Sequence, residues 1–104
     1  MPATVTVDGV TYKVTAIANN AFAGNKKITK VTIGKYVKTI GKKAFQGCSA
    51  LKNMVVKTNN LKTVGKNALK GTNKKLFIKV PSKKLKNYKK YFKGKGNKKV
   101  KVKK

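Results

Sequence analysis

The chain contains no histidine, no arginine and no glutamate, and its single acidic residue is Asp8. With one carboxylate side chain and one thiol, Cys48, it offers no acid/base pair, no triad and no metal cluster. Catalysis is therefore the first function class to be excluded, and no cofactor is implied. A lone cysteine also rules out an intramolecular disulfide. No stretch approaches the length of a membrane span. The N-terminus lacks a basic-then-apolar leader and runs straight into strand-like sequence, which favours a domain excised from a longer chain.

What is present is lysine. All 28 basic residues are lysine, and the net charge is +27 over 104 residues, a length that supports one domain with a modest core. The charge is lopsided: residues 1–24 hold Lys13 and Asp8 and are net neutral, so every uncompensated lysine lies in residues 25–104. Such a chain repels itself, and anions relieve the repulsion.

The apolar residues are periodic. Residues 40–56, I-G-K-K-A-F-Q-G-C-S-A-L-K-N-M-V-V, share their skeleton with residues 17–33 and, allowing one insertion, with residues 64–80. The columns are Val14/Val37/Leu61, Ile17/Ile40/Val64, Ala21/Ala44/Ala68, Phe22/Phe45/Leu69 and Gly24/Gly47/Gly71, at steps of 23 and 24. A period in the twenties marks a solenoid, in which one unit cannot bury its apolar face alone. The boundaries are 14–36, 37–60 and 61–81.

Each column has a physical reading. V-x-x-I is a short extended segment. A-F-x-G is expected to form a single helical turn with its aromatic inward, ended by glycine where positive φ is easiest. The next extended segment buries Ile28/Val31/Ile33, Leu51/Met54/Val56 and Leu76/Ile78/Val80, and these strands should stack as a narrow parallel sheet. Cys48, in one column with Asn25 and Thr72, is expected in a hydrogen-bonding ladder between loops rather than as a reactive thiol, because nothing nearby orients a base.

The ends differ from the middle. In residues 4–17, apolar and polar residues alternate around Asp8-Gly9, a two-residue hairpin signal that makes Asp8 a turn residue and residues 1–13 a hairpin cap. After Val80-Pro81 the period breaks. Residues 82–93 place Leu85, Tyr88 and Phe92 on one helical face, with Ser82 as N-cap and Gly94 as stop, and residues 100–102 offer a last strand. Residues 82–104 would form a helix-plus-strand C-terminal cap.

The pattern I-G-x-x-A-F-x-G-C-x-x-L-x-x-V-x-I resembles the BspA-like (Treponema-type) class of leucine-rich repeat, over residues 14–81 in full. The resemblance implies an α/β fold: a short right-handed leucine-rich-repeat solenoid of mostly short strands with one helical turn per repeat. It also implies export, wall association, and binding of host or microbial surface molecules without enzyme activity. Two positions depart from the pattern. Ala18 stands for the usual glycine in repeat one, and Leu69 for the usual phenylalanine in repeat three.

Three sets of residues are candidates for ligand binding. On the sheet face, Lys30, Val55, Phe77 and Lys79 form an apolar patch rimmed by lysine. Lys38 and Lys62, and likewise Lys42 and Lys66, stack into columns about 5 Å apart, either a track for a polyanion or a guard against aggregation. Ser82, Lys83 and Lys84 open the C-terminal helix, where free N–H groups favour phosphate or sulfate.

The expected partners are anionic cell-wall polymers, acidic glycans or surface proteins, for a module at the cell surface or outside it. Two alternatives stand beside this reading. One is sequence-nonspecific nucleic-acid binding at low salt, since the absence of arginine argues against base readout. The other is a purely structural C-terminal piece of a longer array.

Overall fold

The computed structural model describes residues 4–13 and 15–104. Val14, the first member of the Val37/Leu61 column, lies outside them.

Strands β1 (Thr4–Val7) and β2 (Val10–Lys13) form the expected hairpin. Asp8 (φ 47°) and Gly9 (φ 87°) both take the left-handed conformation that a two-residue turn demands. The repeats then supply two sets of strands. β3 (Ala16–Ile17), β5 (Thr39–Ile40) and β7 (Thr63–Val64) make a three-stranded parallel sheet. β4 (Lys30–Ile33), β6 (Asn53–Val56) and β8 (Phe77–Lys79) are also parallel, in a six-stranded sheet ordered β2-β1-β4-β6-β8-β9, where β9 is Lys101–Lys103. The hairpin sits beside the first repeat, with Tyr12 of β2 edge-on to Phe22. It extends the sheet sideways, with β1 antiparallel to β4.

Alternation along these strands builds the core. In β4 and β6 the second and fourth residues are buried, and every one of the nine expected inward residues is at most 3% exposed. They join Ile17, Ile40 and Val64 in one apolar cluster with Ala44, Phe45, Ala68 and Leu69. The two sheets thus share a single interior.

The A-F-x-G segments are not helical, contrary to the expectation from sequence. Each is a chain of i→i+3 turns, as in Ala44 N–H to Gly41 C=O, Gln46 N–H to Lys43 C=O and Cys48 N–H to Phe45 C=O. Positive φ at Asn20, Lys43 and Asn67, and again at Gly24, Gly47 and Gly71, unwinds what would otherwise be a helix. The N–H groups so released bond to the next repeat: Phe22 donates to Ala44, Phe45 to Ala68 and Leu69 to Lys95. Phe22, Phe45 and Leu69 consequently lie in successive turns of one file.

The glycines at 41 and 65 are fixed by close approach. A Cβ on Gly41 would come within 2.5 Å of the Asn19 nitrogen and 2.6 Å of the Ala18 carbonyl carbon, and one on Gly65 within 2.6 Å of the Gly41 carbonyl carbon. Ala18 occupies the same column in the first repeat, where it is exposed, and this accounts for its departure from glycine.

After β8 a 3₁₀ turn (Ser82–Lys84) leads into α1 (Leu85–Phe92), which packs against β9 and β7. Tyr88 and Phe92 are buried as the periodicity requires, and Leu85 is half-buried. The Tyr88 hydroxyl donates to Thr58 C=O (2.8 Å) and accepts from Leu61 N–H (3.1 Å), serving backbone groups at the edge of the repeats. β9 continues the repeat ladder: Phe77, Ile78 and Lys79 pair with Lys101, Val102 and Lys103.

Candidate functional site

The outward residues of the six-stranded sheet fall into two cross-strand rows. One is Lys30–Asn53–Phe77–Lys101, and the other is Thr6–Thr32–Val55–Lys79–Lys103. Strands about 4.8 Å apart bring Val55 and Phe77 together as diagonal neighbours. Both are half-buried, whereas Lys30 and Lys79 are exposed. Lys30, Val55, Phe77 and Lys79 meet, with Asn53 and Met54, around a shallow cleft of about 330 Å³. A second hollow of about 450 Å³ shares Val55 and Lys79 and is flanked by Lys35 and Lys57. The four sheet-face candidates therefore belong to one surface: an apolar floor, an amide at its edge, and ammonium groups around it.

The sequence reading missed Lys101 and Lys103, which extend the two rows. Their signal was the V-K-V-K alternation exactly one repeat beyond Phe77 and Lys79, obscured by the inserted helix.

The other candidates lie apart from this cleft. Lys38 and Lys62 are exposed and in register, as Lys62 N–H donates to Lys38 C=O and Lys38 N–H to Thr15 C=O. Lys42 and Lys66 are likewise exposed, and Lys42 N–H donates to the Asn19 side chain at 2.8 Å. These columns flank the three-stranded sheet.

At Ser82, Lys83 and Lys84 the expected helix start is replaced by the 3₁₀ turn. Pro81 is its N-terminal boundary residue, no side chain caps it, and the N–H groups of Lys84 and Leu85 are taken by Pro81 and Ser82 carbonyls. Ser82 is thus not an N-cap, and the supply of free donors for an anion is reduced.

Asp8 serves structure beyond its turn. Its carboxylate accepts the Thr29 hydroxyl at 2.9 Å, the Lys30 N–H at 3.0 Å and the Thr29 N–H at 3.2 Å. The Thr29 hydroxyl foremost, helped by the N–H groups of Lys30 and Thr29, holds its pKa below the ordinary aspartate value against the opposing effect of desolvation. The hairpin is thereby tied to the first repeat.

Cys48 is buried, donates to Phe22 C=O at 3.1 Å, and has its pKa raised by burial, with an opposing backbone contact from Asn25. The expected ladder is only partly formed in its own column. Thr72 donates to Leu69 C=O in its own turn and accepts from the Asn97 amide at 2.7 Å, while further bridges run from Asn73 to Ser49 C=O and from Asn97 to Asn73 C=O.

A family model described as a BspA type leucine rich repeat region (6 copies) matches residues 7–99. This chain belongs to that family. The match takes in the hairpin's second strand, all three repeats and the segment leading to β9, consistent with the ladder seen at both ends of the sheet. The family is a repeat module, not one defined by a catalysed reaction. No curated protein and no solved structure matches the chain. Among the described residues, no helix is long and apolar enough to cross a membrane.

Proposed function

We propose that this domain is a non-enzymatic binding module of a bacterial surface or secreted protein, and that it holds anionic wall polymers or acidic glycans on the outer face of its six-stranded sheet. The carrying observation is the cleft in which Val55 and Phe77 lie side by side among Lys30 and Lys79. An apolar floor offers contact to the less polar face of a sugar or polymer backbone. The surrounding ammonium groups select negative charge. Family membership supports the surface setting, since proteins of this type are typically surface-associated in bacteria.

In this reading the repeats form a short solenoid, with the hairpin at one end and α1 with β9 at the other. The lysine columns at 38/62 and 42/66 add long-range attraction without forming the site itself.

The test is co-sedimentation of the purified domain with wall material and with soluble acidic glycans at about 0.15 M salt, where screening acts beyond roughly 8 Å. Retention is expected, and Val55→Ala with Phe77→Ala together should weaken it without unfolding the domain. A domain that stays in the supernatant would count against this reading, and one displaced equally well by any DNA would count for sequence-nonspecific nucleic-acid binding instead.

A further inference from the structure

We propose that the free edge of β9 takes an extended acidic segment of a partner protein, which adds to the six-stranded sheet as a further strand. Among the described residues, β9 is the marginal strand of the sheet, in the order β2-β1-β4-β6-β8-β9. Lys101 N–H donates to Leu76 C=O at 3.1 Å, and Lys103 C=O accepts from Val80 N–H at 2.8 Å, so both lysines turn their backbone toward β8. In a parallel ladder the residue between them turns the other way. The N–H and C=O of Val102 therefore point to the open edge, as a ready donor and acceptor for an incoming strand.

The side chains around that edge specify what would sit there. Lys101 and Lys103 are exposed on the outer face, while Val102 is only 8% exposed and turns inward. Beside the edge, a hollow of about 510 Å³ is lined by Val100 and Val102 together with Lys89, Lys93 and Lys98. An added strand alternates its side chains between the same two faces. The residue opposite Val102 would place an apolar side chain toward this hollow, and its two neighbours would meet Lys101 and Lys103. An acid–apolar–acid alternation fits both faces at once.

A second copy of this chain does not. Its only carboxylate side chain, Asp8, is already held by Thr29 and Lys30, so edge-to-edge pairing would set lysine against lysine. The lysines that keep copies apart are the same ones that would attract an acidic strand.

This inference does not depend on the outer cleft. The probe is a blocked heptapeptide of alternating glutamate and valine, compared at about 0.15 M salt with a peptide of the same composition whose glutamates are grouped. The alternating peptide is expected to bind at least about tenfold more tightly, and to slow hydrogen exchange at the Val102 N–H. Val102→Pro removes the edge donor without touching the bonds to β8 and should cost about tenfold in affinity. The pair Val55→Ala and Phe77→Ala should leave peptide binding unchanged. Equal binding of the two peptides, no binding of either, or an unprotected Val102 N–H would overturn the proposal. The exchange measurement on the unmodified protein decides the matter even if Val102→Pro fails to fold.

Discussion

Phe22 and Phe45 lie ring on ring, with centroids 5.5 Å apart and planes 6° from parallel. They stand 23 residues apart in sequence, one repeat, and the Phe22 N–H donates to Ala44 C=O in the neighbouring turn. Tyr12 of β2 meets the outer side of Phe22 edge-on at 6.1 Å. Phe45 is fully buried and Phe22 only half so. Phe45→Ala should therefore cost about 3–5 kcal/mol and Phe22→Ala distinctly less, as read from chemical denaturation. Equal losses would mean that the hairpin, not the stack, supports the first repeat.

Gly41→Ala should destabilise by about 1–3 kcal/mol, because the added methyl would meet backbone of the preceding turn rather than a movable side chain. Gly65→Ala should behave alike. Thermal denaturation of the two variants beside Ala18→Gly checks this, since position 18 is the one member of the column that already tolerates a methyl.

Tyr88→Phe removes one hydroxyl and leaves two partners, Leu61 N–H and Thr58 C=O, without it. The expected cost is about 1–3 kcal/mol, with faster amide exchange at Leu61. Burial raises the phenol's pKa above 10.0, against a lowering contact from Leu61 N–H and a small further rise from Tyr91. The folded state keeps that proton more tightly than the unfolded chain. Its contribution is thus complete below pH 10 and is lost as the pH climbs through the folded value.

Asp8 behaves in the opposite sense. Its pKa is lowered from 3.8 by the Thr29 hydroxyl and the N–H groups of Lys30 and Thr29. The tie between hairpin and repeat should hold above pH 3.8 and loosen as the pH falls through the lower, folded value. Amide exchange at Thr29 and Lys30 against pH reports this directly. Asp8→Asn keeps one acceptor oxygen but no titratable carboxyl, so protection there should no longer change through the acid range.

The inward strand residues were legible because each is written three times at steps of 23 or 24, so a buried column stands out from the lysines beside it. The outer cleft was legible for the same reason, since Val55 and Phe77 interrupt columns that are otherwise polar. The turns were not. Asn20 and Asn67 carry a signal for left-handed backbone, but Lys43, with φ 57°, carries none, and A-F-x-G alone reads as helix. The antiparallel seat of the hairpin rests on Asp8 reaching residues 29 and 30, a contact that no local pattern encodes. β9 escaped recognition as a fourth rung because α1 is interposed, although Gly96 packs against Lys70 as Gly71 does against Gly47.

The uneven distribution of lysine also gives the molecule a direction. Residues 1–24 are net neutral and supply β1 and β2 at one margin of the large sheet, while β9 carries Lys101 and Lys103 at the other. Strands about 4.8 Å apart put roughly 24 Å between the two margins, so a nearly neutral pole is separated from a cationic one. Approaching a negatively charged wall, the domain would feel a torque before it made contact, and would arrive with its hairpin turned away from that wall.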